Sequence, residues 1–173
     1  MGKQVIVING KGGSGKDTIC DIVSKYYKMI NVSSIDPIKE IAAKHGWNGE
    51  KDDKSRRFLS DLKAAFTKYN DLPNRFLKGK LAEFITDKDL EIMFVHIREP
   101  EAIESFVQRI GSFPGMCVTL LVDRPGLKDY GNSSDDDVGN YAYDYTYNND
   151  KPLEELEEDF MQFFKECLCR KGC

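Results

Sequence analysis

Long apolar runs are missing from this chain of 173 residues. Stretches such as residues 5–8 fall far short of the roughly 20 apolar residues that a membrane-spanning helix needs. The N-terminus also lacks the extended apolar segment of a signal peptide. We therefore expect no membrane association and a cytoplasmic location.

An excess of basic residues is missing as well. The 25 Lys and Arg residues stand against 29 Asp and Glu residues, which gives a formal net charge of −4. Proteins that bind a nucleic-acid polymer usually carry a basic face, so we expect no such partner. The length allows a full hydrophobic core. We predict one domain over residues 1–173, present as a monomer or a homodimer.

Histidine and cysteine, the usual ligands of structural zinc, are few: the chain has two histidines and five cysteines. An odd number of cysteines without an export signal favours reduced thiols. Three cysteines cluster near the end of the chain, but neither histidine is close in sequence, and a structural zinc site needs four ligands. We interpret these three as incidental thiols at a helix end: Cys167, Cys169 and Cys173.

Strand-like and helix-like patterns alternate along the chain. Apolar or β-branched runs predict strands over residues 4–8, 31–35, 91–97, 116–122 and 141–147. Helical spacing of apolar residues, together with glycine, proline and capping residues at the segment ends, predicts helices over residues 17–28, 37–45, 58–69, 74–84, 100–110 and 153–164. This order predicts a three-layer α/β fold with a central parallel five-stranded sheet. Residues 37–88 contain no strand signal and form a helical insertion, and residues 126–140 form a polar loop.

A glycine-rich segment follows the first predicted strand and opens the first predicted helix. It satisfies the pattern G-x4-G-K, in which glycines let several backbone N–H groups point at one anion. The helix N-terminus adds the positive end of its dipole, and the lysine reaches the β- and γ-phosphates. We predict that ATP binds through these residues: Gly10, Gly12, Gly13, Ser14, Gly15, Lys16, Asp17 and Thr18.

The residue after Lys16 is Asp17, where the pattern usually has Ser or Thr, and a hydroxyl follows at Thr18. A carboxylate beside a triphosphate is repelled unless Mg²⁺ lies between them. We therefore predict that Asp17 holds Mg²⁺, directly or through water, and that Thr18 hydrogen-bonds phosphate. The alternative is that Asp17 only favours the start of the helix through the helix dipole.

The run Gly-Lys-Asp-Thr after a glycine loop resembles the P-loop nucleotide and metabolite kinases. The resemblance is greatest to the phage-type deoxynucleoside monophosphate kinases and the related phosphomevalonate kinases of animals. Further segments are similar over residues 34–47, 54–59, 118–125 and 144–150. The resemblance implies a P-loop NTPase core, an acceptor-binding role for residues 37–88 and a lid at residues 126–140.

Cations are needed on the acceptor side, because phosphoryl transfer brings two anionic substrates together. Arg56 lies in the helical insertion, Arg98 follows the third predicted strand and Arg124 follows the fourth. Ligands of parallel sheets collect at the carboxyl ends of the strands. We predict that Arg56 and Arg98 bind the acceptor phosphate, with Arg98 also acting in catalysis, and that Arg124 lies near ATP. The alternative for each is a solvated surface charge.

Asp36 and Lys39 lie in the segment that resembles the kinases' Ala-Asp-Pro-Leu-Lys run. Asp36 ends the predicted second strand, where a carboxylate can orient the acceptor or accept its proton. A helix cap is an equally plausible role for Asp36, because Pro37 follows it. Lys39 is predicted to bind the acceptor.

Together these features predict transfer of the γ-phosphoryl group of ATP to a small phosphorylated acceptor, such as a (deoxy)nucleoside monophosphate. Another metabolite as acceptor is the first alternative. The second alternative is an ATP-binding switch with little transfer activity. It is favoured by His96, which replaces an aspartate of the resembled kinases, and by a polar loop whose only cation is Lys128.

Overall fold

The structure is a computed structural model, and it describes residues 2–111, 115–127 and 137–168. Most of the predicted lid, residues 128–136, lies outside the described residues, as do Cys169 and Cys173. The chain divides into two compact units. One comprises Met1–Asn31 and Asp87–Cys173, and the other comprises Val32–Thr86.

Within the part of the chain that the structure describes, five strands form one parallel sheet, as predicted. They are β1 (Gln4–Asn9), β2 (Met29–Ser33), β3 (Ile92–His96), β4 (Cys117–Asp123) and β5 (Tyr145–Asn148), in the order β2-β3-β1-β4-β5. The central strand β1 is buried along its whole length, which explains why its sequence is a continuous apolar run without alternation. In register, Ile8 lies opposite His96 of β3 and Leu120 of β4.

The described residues contain six α-helices, in agreement with the predicted three-layer α/β fold. They are α1 (Lys16–Ser24), α2 (Asp36–Lys44), α3 (Asp53–Asn70), α4 (Leu72–Thr86), α5 (Pro100–Ile110) and α6 (Leu153–Phe163), which continues into a π-helical turn at Phe164–Leu168. None of the helices among the described residues has both the length and the apolar character needed to cross a bilayer.

The larger core lies between one face of the sheet and the helices α1 and α6. Alternate strand residues such as Ile6 and Phe94 pack there with Ile19 of α1 and Phe160 of α6. The neighbouring strand positions, such as Val7, are also completely buried, so both faces of the sheet are covered. This packing fixes the carboxyl ends of the strands, where the glycine loop begins.

The helices α2, α3 and α4 make up the unit Val32–Thr86. Its core is small and centres on Ile38, Ala42 and Leu59, with Trp47 and Phe66 packed against it. The predicted insertion covers residues 37–88, which is close to the bounds of this unit.

Several predicted boundaries were wrong in the first half of the chain. The first helix ends at Ser24 rather than at residue 28, and β2 runs over Met29–Ser33 rather than residues 31–35. The third helix starts at Asp53, five residues before the predicted start, because the carboxylate of Asp52 caps it by accepting the Ser55 N–H at 2.7 Å.

The last predicted strand is shorter than expected, because β5 starts at Tyr145 and not at residue 141. The Thr119 N–H donates to the Asp144 carboxylate at 2.8 Å, and the Asp144 N–H donates to the Thr119 hydroxyl at 2.8 Å. These side-chain bonds replace the ladder just before Tyr145 pairs with Leu120. The alternating aromatic pattern therefore extended the prediction beyond the true strand.

Candidate active site

The glycine loop leaves the end of β1 and enters α1 at Lys16, as predicted. Gly10, Gly13 and Gly15 have φ values of 151°, 80° and 96°, which L side chains rarely adopt. A Cβ atom on Gly10 would lie 2.3 Å from the Val122 carbonyl oxygen of β4. Two conditions therefore require glycine at the start of the loop: the backbone conformation and the close approach of a neighbouring strand.

Lys16 is held inside the loop. Its ammonium group donates to the carbonyl oxygen of Gly10, to that of Lys11 at 2.9 Å and to the Ser14 hydroxyl at 3.3 Å. The first turn of α1 follows directly, so the cation and the positive helix end lie together. This is the arrangement that binds an anionic phosphate.

Asn149 is hydrogen-bonded to the loop and was missed as a site residue. Its backbone N–H donates to the Asp123 carbonyl at 2.7 Å, and its side-chain amide donates to the Ser14 carbonyl at 2.8 Å. A Cβ atom on Gly15 would lie 2.3 Å from this amide nitrogen. The sequence placed Asn149 two positions after the predicted strand 141–147, within the similar segment 144–150, but gave it no role.

Asn9 and Tyr143 form a second buried connection that the sequence did not indicate. The Asn9 side-chain oxygen accepts the Gly10 N–H at 2.8 Å, and its amide group donates to the Arg98 carbonyl at 3.2 Å and to the Tyr143 hydroxyl at 2.8 Å. That hydroxyl donates to the Val138 carbonyl at 2.9 Å. Burial raises the pKa of Tyr143 above its ordinary value, so the phenol stays protonated and remains a donor.

Arg98 and Arg124 lie where the topology predicts. Arg98 follows β3 and Arg124 follows β4, and both residues are exposed. Because β3 and β4 flank β1 in a parallel sheet, both residues lie at the same edge of the sheet as the start of the glycine loop. Ligands of such sheets bind at this edge.

The candidate Mg²⁺ position is defined by a single carboxylate. Asp17 is exposed in the first turn of α1, next to the half-buried Thr18. Across residues 2–111, 115–127 and 137–168, no group of three or more His, Cys, Asp or Glu side chains could hold a metal ion. One carboxylate fits Mg²⁺ that takes its other ligands from nucleotide phosphates and water.

His96 stands at the end of β3. Its Nε2 atom lies 2.7 Å from the Asn31 side-chain oxygen and 3.8 Å from the Cys20 Sγ atom. Because the amide oxygen can only accept, Nε2 carries a proton in this pair. Burial, and then the charges of Asp17 and Asp21, raise the pKa of the Cys20 thiol, so this cysteine is not a thiolate nucleophile.

The free thiols recorded by the structure are Cys20, Cys117 and Cys167. Burial raises the pKa of Cys117 to about 12, which leaves this thiol protonated. The remaining two cysteines of the predicted tail cluster lie outside the described residues.

Within the helical unit, Asp36 begins α2 and does not end β2, because the strand stops at Ser33. Its carboxylate accepts the Ser33 N–H at 2.6 Å, which closes the turn between strand and helix. Burial raises the pKa of Asp36. Lys39 is exposed on α2 and Arg56 is exposed on α3.

Lys63 of α3 is a further cation that sequence reasoning missed. Its ammonium group donates to the hydroxyl of the buried Ser34 at 3.2 Å, beside the turn that Asp36 closes. The helical spacing of α3 places Lys63 seven residues, or about two turns, after Arg56. Two basic residues therefore share one side of this helix.

No protein-family model matches the chain, and no curated protein matches it. Solved structures do match. Shikimate kinase from Aquifex aeolicus is 17% identical, with a TM-score of 0.52 over 94% of this chain and 96% of that chain. Two further structures each have a TM-score of 0.49. TT1252 from Thermus thermophilus is 20% identical over 99% of this chain and 100% of that chain.

The other is the Mycobacterium tuberculosis APS kinase CysC in complex with AMPPNP and APS, which is 12% identical over 94% of this chain and 98% of that chain. At these identities the similarity is one of fold alone. It rests on the shikimate kinase structure, whose TM-score is 0.52. The chain shares the α/β fold of that structure, with its glycine loop between the first strand and the first helix.

Proposed function

We propose that this protein transfers the γ-phosphoryl group of ATP to a small phosphorylated acceptor, with a (deoxy)nucleoside monophosphate as the favoured acceptor. The observation that supports this most is the glycine loop, in which Lys16 is held beside the N-terminus of α1. Loops of this geometry cradle nucleotide phosphates. The acceptor class rests on the segment resemblances and on the basic residues of the helical unit.

On the ATP side, the backbone N–H groups of residues 10–15 and the Lys16 ammonium would bind the β- and γ-phosphates. Asp17 would hold Mg²⁺, which offsets phosphate charge when it is bound. Thr18 would hydrogen-bond phosphate, and Arg124 would lie near the nucleotide as a further cation. Positioning and charge supply most of the catalysis in phosphoryl transfer.

On the acceptor side, Arg56 and Arg98 would bind the acceptor's phosphate, and Lys39 would also bind the acceptor. Guanidinium groups suit this task because they form two parallel hydrogen bonds to phosphate oxygens. Asp36 would orient the attacking group or accept its proton. Its half-buried position raises the pKa of this carboxyl, and a raised pKa is what a proton acceptor near neutral pH needs.

The test is ADP release with Mg²⁺-ATP in the presence of a panel of acceptors. The panel contains the ribo- and deoxyribonucleoside monophosphates, followed by phosphorylated metabolites. We expect one nucleoside monophosphate to stimulate release strongly and to appear as the diphosphate. Stimulation only by another metabolite would overturn the nucleotide acceptor, and no stimulation by any acceptor would overturn the transferase.

A nucleotide-binding switch is the second candidate, and one observation favours it. The position of the kinases' aspartate holds His96, which is engaged with Asn31 at 2.7 Å. A switch would bind ATP without any acceptor-dependent release of ADP. Titration with a non-hydrolysable ATP analogue, together with the acceptor panel, separates the two candidates.

Substitution of Asp17 by asparagine tests the metal assignment. If Asp17 holds Mg²⁺, Asp17→Asn raises the Mg²⁺ concentration needed for half-maximal activity by about tenfold, because a ligand charge is lost. Asp21→Asn, one turn later on α1, is the matched control. An Mg²⁺ titration that is unchanged in Asp17→Asn would leave this residue as a helix-start residue only.

A further inference from the structure

Asn9 lies at the point where three parts of the site meet. It is 1% exposed, and its amide is bonded to the backbone of Gly10, to the backbone of Arg98 and to the Tyr143 hydroxyl. The first partner starts the glycine loop, and the second carries a predicted acceptor-binding side chain. The third precedes β5 and leads to residues 137–140.

The hydrogen-bond pattern allows one orientation of the Asn9 amide. Its oxygen faces the N–H group of Gly10, which can only donate, and its nitrogen faces the carbonyl oxygen of Arg98, which can only accept. A flipped amide would pair two donors and two acceptors. The Tyr143 hydroxyl therefore accepts from Asn9, and its own proton goes to the Val138 carbonyl.

Tyr143 carries this connection to the short 3₁₀ helix Asp137–Asn140. Val138 of that helix is 4% exposed, so it is anchored in the protein interior. The ring of Tyr143 also packs edge-on against Tyr141, with ring centroids 5.1 Å apart. The 3₁₀ helix is thus connected to the glycine loop through side chains rather than through a strand ladder.

We propose that Asn9 and Tyr143 are positioning residues for phosphoryl transfer. They hold the start of the glycine loop, the backbone of Arg98 and the 3₁₀ helix at residues 137–140 in one arrangement. Neither side chain needs to touch a substrate for this role. The kinetic part of the inference rests on the proposed function, whereas the connection itself is present in the free protein.

The central experiment compares Tyr143→Phe with Tyr147→Phe. The first change removes a hydroxyl that has two described partners. The second removes a buried hydroxyl that donates to Asp159 at 2.7 Å and has no described bond to the loop. We expect kcat to fall by about fivefold to thirtyfold in Tyr143→Phe, as one or two lost hydrogen bonds imply. The KM for ATP should change by less than about threefold.

The Tyr147→Phe control should lower the thermal midpoint while kcat stays at the wild-type value. This difference separates positioning from simple destabilisation, which both variants share. A Tyr143→Phe protein with wild-type kcat, or a Tyr147→Phe protein with the same kcat loss, would overturn the proposal.

A double-mutant cycle with Asn9→Ala tests the connection between the two residues. Once Asn9 has lost its amide, removal of the Tyr143 hydroxyl should cost little more, so the two effects on kcat should not add. Additive effects would mean that the residues act independently and would overturn the proposal. Asn9→Asp, which keeps the acceptor for the Gly10 N–H, replaces Asn9→Ala if the alanine variant does not fold.

Hydrogen exchange gives a readout that does not depend on catalysis. In Tyr143→Phe we expect faster exchange of amides at residues 137–140 and at Gly10, and in Tyr147→Phe we expect wild-type exchange there. If the wild-type protein transfers phosphate to no acceptor, the proposed function fails while this exchange result still tests the connection. Unchanged exchange in Tyr143→Phe would overturn the connection itself.

Discussion

The glycine-loop region and the helical unit Val32–Thr86 differ in whether their buried polar side chains are hydrogen-bonded. Around the loop, the buried amides of Asn9 and Asn149 are hydrogen-bonded to backbone groups of other segments. In the helical unit, the buried Trp47 Nε1 and Asn70 Oδ1 atoms have no hydrogen-bond partner. Among the described residues, no buried side-chain N or O atom of the loop region lacks a hydrogen-bond partner, whereas these two atoms of the helical unit do.

This contrast fits two different tasks. A phosphate cradle must exist before ATP arrives, because preorganised donors act without reorganisation during the reaction. Buried polar atoms without partners usually have an explanation in function or strain. The helical unit has a small core and two such atoms, Trp47 Nε1 and Asn70 Oδ1.

Loss of the Lys16 ammonium should have the largest effect, because it removes the cation at the centre of the loop. In Lys16→Ala we expect phosphoryl transfer to fall by at least about a hundredfold, the cost typical of one preorganised charge-stabilising donor. Thermal unfolding should stay close to wild type, since the partners of Lys16 are loop oxygens near solvent. Wild-type turnover in this variant would contradict the assignment of the loop.

Glycine substitutions should act in opposite directions in the two regions. Gly10→Ala places a Cβ atom 2.3 Å from the Val122 carbonyl at positive φ, so we expect a loss of at least about 2 kcal/mol in the free energy of unfolding. Gly79 lies within α4, with no atom near its would-be Cβ. Gly79→Ala should gain about 0.5–1 kcal/mol.

Urea unfolding of both glycine variants measures these free energies directly. If Gly10→Ala were as stable as wild type, the close approach of β4 would not constrain the loop. A destabilised Gly79→Ala would show that α4 has packing around this position beyond the contacts described.

Arg56 and Arg57 provide a matched pair on the exposed surface of α3. If Arg56 binds the acceptor, Arg56→Ala raises the acceptor KM by about tenfold, the cost of one charged hydrogen bond. The KM for ATP should stay constant, and Arg57→Ala should leave both values unchanged. A change in the ATP KM instead would assign Arg56 to the nucleotide.

Asp36 should show the smallest effect on stability, and the size of this effect depends on pH. Burial raises the pKa of this carboxyl, so the folded protein holds the proton more tightly than the unfolded chain. The resulting stabilisation is complete below the ordinary carboxyl pKa of about 3.9 and is lost as the pH rises through the folded pKa. Asp36→Asn should therefore be more stable than wild type at pH 7, with the difference vanishing near pH 3.

The activity of Asp36→Asn completes this test. We expect transfer to fall although stability rises, because the amide can still accept the Ser33 N–H but cannot take a proton from the acceptor. Full activity in a stabilised variant would make Asp36 a turn-closing residue only. Stability curves across pH and initial rates at pH 7 measure both properties on one protein.

Much of the architecture was predictable because the signals were local. The continuous apolar run of β1 and the helical spacing of α5 each lie within a dozen residues, and α5 was predicted with both ends correct. The glycine loop was predictable for the same reason. By contrast, β5 was predicted too long, because the Asp144–Thr119 bonds that delay its start join residues 25 positions apart.

Local sequence patterns were sufficient to predict the α/β order and the glycine loop. The contacts that hold the loop in place became visible only in the folded chain. Asn149 reaches the Ser14 carbonyl across 135 positions, and Asn9 reaches Tyr143 across 134. Such bonds depend on strand register and on where β5 starts. The physical reason is that a backbone conformation can be coded by neighbouring residues, whereas a buried hydrogen-bond partner exists only after distant strands have paired.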